Sequence, residues 1–221
     1  SYSWQSSSDN SNWSEISTSS TYTLTSADEG KYIQAVISYT DDEGFLEAVT
    51  TNSKQVSITG TAGDDLLEGT SGSDTISGLG GDDTLIGGDG DDIIDGGAGK
   101  NHLSGDGGND TITSNGYQDV VDAGEGDNTI IIGSDAKGGR FSSGDGADIY
   151  HVNDGAISTY ENQLEINSGG GDDIVNINSY LSEYNDIYLG EGNDTIYVNK
   201  KIGRSFKLYG GNGNDNINIL A

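Results

Sequence analysis

Apolar residues recur every nine positions between residues 60 and 131, separated by segments rich in Gly and Asp. Eight consecutive copies follow the pattern G-G-x-G-x-D-x-U-x, where U is apolar, with no residue gained or lost. Ordinary hairpin turns share this composition but would not hold a nine-residue phase. We expect positions one to six to form a turn and positions seven to nine a short strand, with position eight in the core. The core residues would be Leu67, Ile76, Leu85, Ile94, Leu103, Ile112, Val121 and Ile130.

After Ile131 the apolar residues alternate with period two over longer segments, as in strands with one buried face. We expect each coil here to bury about twice as many apolar pairs, which predicts a wider roll. Its inward pairs would be Val175/Ile177, Ile196/Val198 and Ile217/Ile219, facing Leu164/Ile166, Ile187/Leu189 and Phe206/Leu208.

The first 59 residues differ, because alternating apolar residues are separated there by Gly/Asp turns, which predicts antiparallel strands. The spacing Asp28-x-Gly30-x-Tyr32 matches a tyrosine corner, and Trp4 occupies the place of a core Trp. This segment resembles an abbreviated immunoglobulin-like (Ig-like) sandwich that caps the roll. The predicted fold is all-β: a partial Ig-like sandwich at 1–59, a regular parallel β-roll (a β-solenoid) at 60–131, and a wider roll at 132–221.

The turns also supply metal ligands, since Ca²⁺ binds six to eight hard oxygens and two stacked turns can provide carbonyls and carboxylates together. If one coil is two repeats, stacked turns lie 18 residues apart and their position-six residues fall on two edges. Edge one carries Asp65, Asp83, Asn101 and Asp119. Edge two carries Asp74, Asp92, Asp110 and Asn128, and continues with Asp148, Asp173, Asp194 and Asp215.

The number of gaps between stacked turns limits the number of ions. Edge two has eight turns and seven gaps, and edge one has four turns and three gaps, which allows up to about ten Ca²⁺ ions. Asn101 and Asn128 replace a carboxylate with a neutral amide, so we expect weaker or empty sites there. Beyond residue 131 we expect edge one to consist of loops near 132–142, 153–163, 179–185 and 200–205.

Composition alone would suggest disorder, because only 31% of the 221 residues are hydrophobic and the formal net charge is −28. The repeat changes this interpretation, since a solenoid needs only a thin internal ladder of apolar side chains. Thirty-seven carboxylates require counter-cations, and such acidity argues against nucleic acids and anionic membranes as partners. No segment is apolar enough to insert into a bilayer. Because the chain has no Met, we expect it to be a piece of a longer chain, and we expect this piece to be monomeric.

From Gly60 onward the chain resembles the RTX (repeats-in-toxin) proteins, and an Ig-like module before RTX repeats resembles the distal part of a large Gram-negative adhesin. The resemblance implies type I secretion of an unfolded chain that folds in extracellular Ca²⁺. It also implies that the position-six residues bind calcium together with the carbonyls of neighbouring turn glycines. Those glycines are Gly72, Gly81, Gly90, Gly99 and Gly108.

Other functions remain open at this point. A cationic strip could bind an acidic polysaccharide on an extracellular or cell surface, and its members would be Lys137, Arg140, Lys200, Lys201, Arg204 and Lys207. The chain could also be an accessory domain of a secreted enzyme, or bind ice through outward ranks such as Asn176/Tyr197/Asn218. We expect no catalysis by the chain itself, because His102 and His151 are the only histidines and no catalytic motif is present.

Overall fold

The computed structural model describes residues 1–156, 163–181, 184–203 and 205–220. These residues form an antiparallel N-terminal sheet and two parallel sheets, with one 3₁₀ turn at Ser26–Asp28. Within the same residues, no helix has the length and apolar character needed to cross a membrane. The all-β prediction is confirmed.

The N-terminal sheet has the order β2-β1-β3-β4, and β5 also pairs with β3. A second sheet facing it, as a sandwich requires, is not present among the described residues. The strands are β1 (Tyr2–Ser7), β2 (Ser14–Ser17), β3 (Tyr32–Thr40), β4 (Leu46–Thr50) and β5 (Lys54–Gln55).

The predicted tyrosine corner, in which the Tyr32 hydroxyl would bond the upstream backbone, is not found among the described residues. The hydroxyl of Tyr22, not that of Tyr32, lies 2.9 and 3.0 Å from the two carboxylate oxygens of Asp28. Trp4 is only half-buried, and its ring lies 6.0 Å from that of Tyr22. The single sheet leaves one face of Trp4 without the covering layer that a sandwich would provide.

The roll consists of two parallel sheets, which we call the even sheet and the odd sheet after their strand numbers. The even sheet contains β6 (Ile58–Thr59), β8 (Thr75–Ser77), β10 (Ile93–Asp95), β12 (Thr111–Ser114), β14 (Thr129–Ile132), β16 (Ile149–Val152), β18 (Ile174–Ile177), β20 (Thr195–Val198) and β22 (Asn216–Ile219). The odd sheet contains β7 (Leu66–Glu68), β9 (Thr84–Asp89), β11 (His102–Gly107), β13 (Tyr117–Asp122), β15 (Lys137–Ser142), β17 (Leu164–Asn167), β19 (Asp186–Tyr188) and β21 (Lys207–Tyr209).

The pairing register confirms two repeats per coil, because Ile94 lies opposite Ile76 on one side and Ile112 on the other. The predicted position-eight core is also confirmed. Ile76 through Ile130 in that series are at most 1% exposed, while Leu67, in the first coil, is partly buried.

The wider half buries two inward residues per strand, as predicted. Val175, Ile177, Ile196 and Val198 are fully buried, as are their partners Ile166, Ile187 and Leu189; Leu164 is nearly so. Ile217 and Ile219 stay 49% and 54% exposed, because they lie on the last described strand of the even sheet. Leu208 is partly buried because it lies on β21, the last described strand of the odd sheet, and Phe206, just before that strand, is partly buried as well.

Edge one departs from the prediction between β14 and β15. The predicted loop at 132–142 is limited to 133–136, because Lys137–Ser142 forms a strand of the odd sheet. Its residues pair with β13 on one side and β17 on the other. The later loops connect the even sheet to the odd sheet as expected, although parts of those at 153–163, 179–185 and 200–205 lie outside the described residues.

Candidate metal centre

The position-six residues form a continuous hydrogen-bonded ladder along each edge. In each step, one Oδ1 accepts the backbone N–H of the position-six residue in the preceding coil, at 2.6–3.2 Å. On edge two the ladder runs unbroken from Asp74 to Asp215, although its last four steps are 20, 25, 21 and 21 residues long. The predicted single column of turns is therefore present despite the variable loops.

The second carboxylate oxygen has no partner in six of these turns. It is buried and accepts no hydrogen bond in Asp83, Asp92, Asp110, Asp148, Asp173 and Asp194. A buried carboxylate oxygen without a donor is strongly unfavourable, by several kcal/mol per ion. A cation at each of these oxygens would remove the cost.

Asn128 shows which groups surround this second oxygen. Its amide Nδ2 donates to the carbonyl oxygens of Gly124 at 3.2 Å and Gly126 at 3.0 Å. These two residues occupy positions two and four of the same turn. Because Asp has nearly the same shape as Asn, an aspartate there would place its Oδ2 against two carbonyl oxygens with no proton between them. Such a set of hard oxygens fits Ca²⁺.

The glycine at position four keeps these carbonyls aligned from coil to coil. Gly81, Gly90, Gly99 and Gly108 have φ values of 118°, 109°, 124° and 131°, which other residues rarely adopt. A Cβ on Gly108 would overlap the carbonyl oxygen of Gly90 in the preceding coil. Gly72, the fifth predicted glycine, does not have a positive φ, so its turn differs from the other four.

No three acidic or histidine side chains converge on one point in the part of the chain that the structure describes. Each turn supplies a single position-six side chain, so most oxygens around a cation would have to be backbone carbonyls. Turns of this kind therefore depend on glycine geometry as much as on aspartate.

Burial of the carboxylates raises their pKa values. The pKa of Asp92 is raised to about 7 by its burial, with repulsion from Asp110, Asp74 and Asp91 adding to the effect. Burial likewise raises the pKa of Asp173 to about 7 and that of Asp110 to about 6. The pKa values of Asp148 and Asp194 are raised for the same reason. The metal-free fold therefore favours neutral carboxyl groups in the column.

This shift predicts that the calcium-free chain gains structure on acidification. In the folded state these groups bind protons up to about pH 7, whereas in the unfolded chain they release them near pH 4. Folding stability in the absence of calcium should thus fall as pH rises between these values. Far-UV circular dichroism of demetallated protein should show more β-structure at pH 5 than at pH 8. A signal equal at both pH values, or larger at pH 8, would contradict this expectation.

Three predicted ligands already have hydrogen-bond donors on the second oxygen. Asp65, Asp74 and Asp119 accept hydrogen bonds there from Thr61, Thr70 and Ser114, respectively. Sequence reasoning assigned no role to these hydroxyls. A signal was present for the threonines, because Thr replaces Gly at position two of the first two repeats. Ser at position one was no such signal, because Ser143 and Ser168 occupy the same position and donate to backbone carbonyls instead.

The predicted cationic strip is largely neutralised by nearby carboxylates. Arg140 pairs with Glu165 at 3.3 Å, Lys200 with Asp154 at 3.4 Å, and Lys207 with Asp186 at 3.3 Å. Lys137 and Arg140 were expected in a loop, but they lie on β15. Lys137 and Lys201 are exposed, and Arg204 lies outside the described residues.

Parallel strands, stacked Gly–Asp turns and single buried carboxylates together define a β-roll whose turns are suited to holding cations. A family described as RTX calcium-binding nonapeptide repeat (four copies) matches residues 59–94, 68–103, 77–112, 104–136, 184–199 and 207–218, just under half of the chain. The chain thus contains RTX calcium-binding nonapeptide repeats, which bind calcium in general and are typical of secreted proteins. No curated protein matches it.

Proposed function

We propose that this chain is a calcium-dependent structural module of a secreted cell-surface adhesin, exported unfolded by type I secretion and folded by extracellular Ca²⁺. The observation that carries the proposal is the set of six buried aspartate oxygens without hydrogen-bond donors. Buried aspartates and turn carbonyls would hold the ions, and the ions would neutralise the repulsion between successive coils. Since the unfolded chain lacks such preformed sites, ion binding would supply folding free energy.

An extender role follows from the shape of the roll. Nine parallel strands of the even sheet, about 4.8 Å apart, span about 38 Å along the roll axis. The N-terminal sheet continues into the roll, because β6 follows β5 after two residues and pairs with β8 through Ile58 and Ile76. Modules joined in this way would act as a spacer between other parts of an adhesin. The N-terminal sheet would then be an abbreviated Ig-like unit that caps the first coil.

The proposal assigns no catalysis to the chain. Each of the six aspartates with a buried, donor-free oxygen has a structural task as a cation ligand, and His102 is exposed on β11 directly after the position-six residue Asn101. Recognition of an acidic glycan is not favoured either, since Arg140, Lys200 and Lys207 are already paired with carboxylates.

Small-angle X-ray scattering during addition of calcium tests the proposal. A chain of 221 residues has a radius of gyration of about 50 Å when unfolded and about 17 Å when folded and compact. We expect contraction toward the smaller value with millimolar Ca²⁺ and little contraction with the same concentration of Mg²⁺. A compact chain in chelator, with no change on adding Ca²⁺, would contradict the proposal.

A further inference from the structure

Nine of the ten position-six aspartates fall into two classes according to the second carboxylate oxygen, and Asp215, at the last turn of the column and only partly buried, belongs to neither. We call a turn open when this oxygen is buried without a donor, and closed when the protein itself supplies a donor. The open turns end at Asp83, Asp92, Asp110, Asp148, Asp173 and Asp194. The closed turns end at Asp65, Asp74 and Asp119.

Threonine closes the first turn on each edge. Asp65 Oδ2 accepts the backbone N–H of Thr61 at 2.6 Å and its hydroxyl at 2.9 Å. Asp74 Oδ2 accepts the same two groups of Thr70 at 2.6 and 2.8 Å. Two donors thus reach an oxygen that would otherwise face only other oxygens, so these carboxylates are stabilised without a cation.

Serine closes the last regular turn of edge one. The hydroxyl of Ser114 donates to Asp119 Oδ2 at 2.5 Å, and the N–H of Gly116 donates to the same oxygen at 3.1 Å. Asp119 is fully buried, so these donors replace part of what solvent would provide, although burial still raises its pKa. After this turn the odd sheet continues with Gly139 opposite Asp119, and edge one has no further aspartate at this position.

The backbone separates the same two classes independently. Position four has a positive φ in every open turn, for example 109° at Gly90 and 123° at Gly171. In the closed turns, position four is Gly63, Gly72 or Tyr117, and none of these has a positive φ. The carbonyl at position four is therefore presented differently where the protein supplies its own donor.

The N-terminal segment completes the closed turn on edge two. Asp74 Oδ1 accepts a hydrogen bond of 2.7 Å from the side-chain Nε2 of Gln55. Elsewhere in the column this oxygen accepts a backbone N–H from the preceding coil. Gln55 on β5 thus supplies the donor that a preceding coil supplies at the other turns, so both oxygens of Asp74 have donors.

We infer that Thr61, Thr70 and Ser114 replace the calcium ion at their turns, and that only the six open aspartates require one. This inference rests on the proposed calcium binding and refines it. The chain then binds six ions firmly rather than the about ten that the number of gaps allows. The amide of Asn128, which bridges two carbonyls, closes its turn in the same way.

Counting bound calcium by native mass spectrometry of the full chain tests this inference. Wild-type protein should carry six ions. Asp92→Asn should carry five, and Asp119→Asn should still carry six. Asparagine is a conservative probe, because Asn101 and Asn128 already occupy this position and keep the Oδ1 ladder intact.

The outcomes separate this inference from the proposed function. If Asp119→Asn loses an ion as Asp92→Asn does, or if Asp92→Asn keeps all of its ions, the division into open and closed turns is wrong. A wild-type chain that binds no calcium would instead overturn the proposed function. Should Asp119→Asn fail to fold, Asp65→Asn makes the same comparison at a half-exposed turn at the end of the roll, with six ions again expected.

Discussion

Replacing Gly171 with alanine should strongly destabilise the wider half of the roll. Its φ of 123° lies in the region that L side chains rarely adopt, and an added Cβ would overlap the carbonyl oxygen of Gly146 in the preceding coil. Strain of this kind costs about 1–3 kcal/mol by itself. Relief of the overlap would separate two turns that share a cation site, so we expect a total loss above about 3 kcal/mol. The loss in the free energy of unfolding is measured by urea unfolding in saturating calcium, followed by far-UV circular dichroism.

Two other glycines provide matched controls for this substitution. Gly44 has a positive φ of 91° but no atom within 4 Å of an added Cβ, so Gly44→Ala isolates the conformational strain at about 1 kcal/mol. Gly63 has an ordinary φ and open space, so Gly63→Ala should be close to neutral. A Gly171→Ala protein no less stable than the Gly44→Ala protein would show that the turns tolerate displacement.

Truncating Ile94 should cost about 2–5 kcal/mol, the usual range for a buried Ile replaced by Ala. Ile94 is fully buried on β10 and lies between Ile76 and Ile112 in the internal ladder. The roll has a thin core, so there is little neighbouring apolar mass to fill the cavity. The shift of the urea midpoint in saturating calcium gives the loss of stability.

The neighbouring residue is the control for this truncation. Ile93 precedes Ile94 on the same strand but points outward and is 56% exposed. Ile93→Ala should change stability by less than about 0.5 kcal/mol. Equal losses at the two positions would mean that the internal ladder does not carry the stability of the roll.

The regular half of the fold follows from the sequence because its period fixes the register. A nine-residue repeat with a single apolar position aligns core residues in multiples of nine, and a coil of two repeats then places Ile94 opposite Ile76 and Ile112. The edge-two column could be traced even where the loops vary, because each turn ends in an aspartate followed by alternating apolar residues. Asp148 through Asp215 lie in that column as predicted.

The remaining features depend on contacts that a periodic pattern does not encode. The spacing Asp28-x-Gly30-x-Tyr32 predicted a tyrosine corner, but the contact that forms joins Tyr22 to Asp28, and the path of the chain between these two residues decides it. The strand β15 forms because two neighbouring strands of the odd sheet offer it partners, although the break in the repeat after Ile131 predicted a loop there. The hydroxyl of Ser114 acts at Asp119, five residues later, and only the folded turn brings the two together.

Far-UV circular dichroism during a calcium titration, starting from chelated protein at neutral pH and with Mg²⁺ as control, tests most directly whether calcium builds this roll. We expect a cooperative gain of β-structure with Ca²⁺ alone, with a midpoint at or below extracellular calcium concentrations. A full β-signal in chelator that Ca²⁺ leaves unchanged would mean that residues 60–220 fold without metal, and that the buried aspartates have another means of stabilisation.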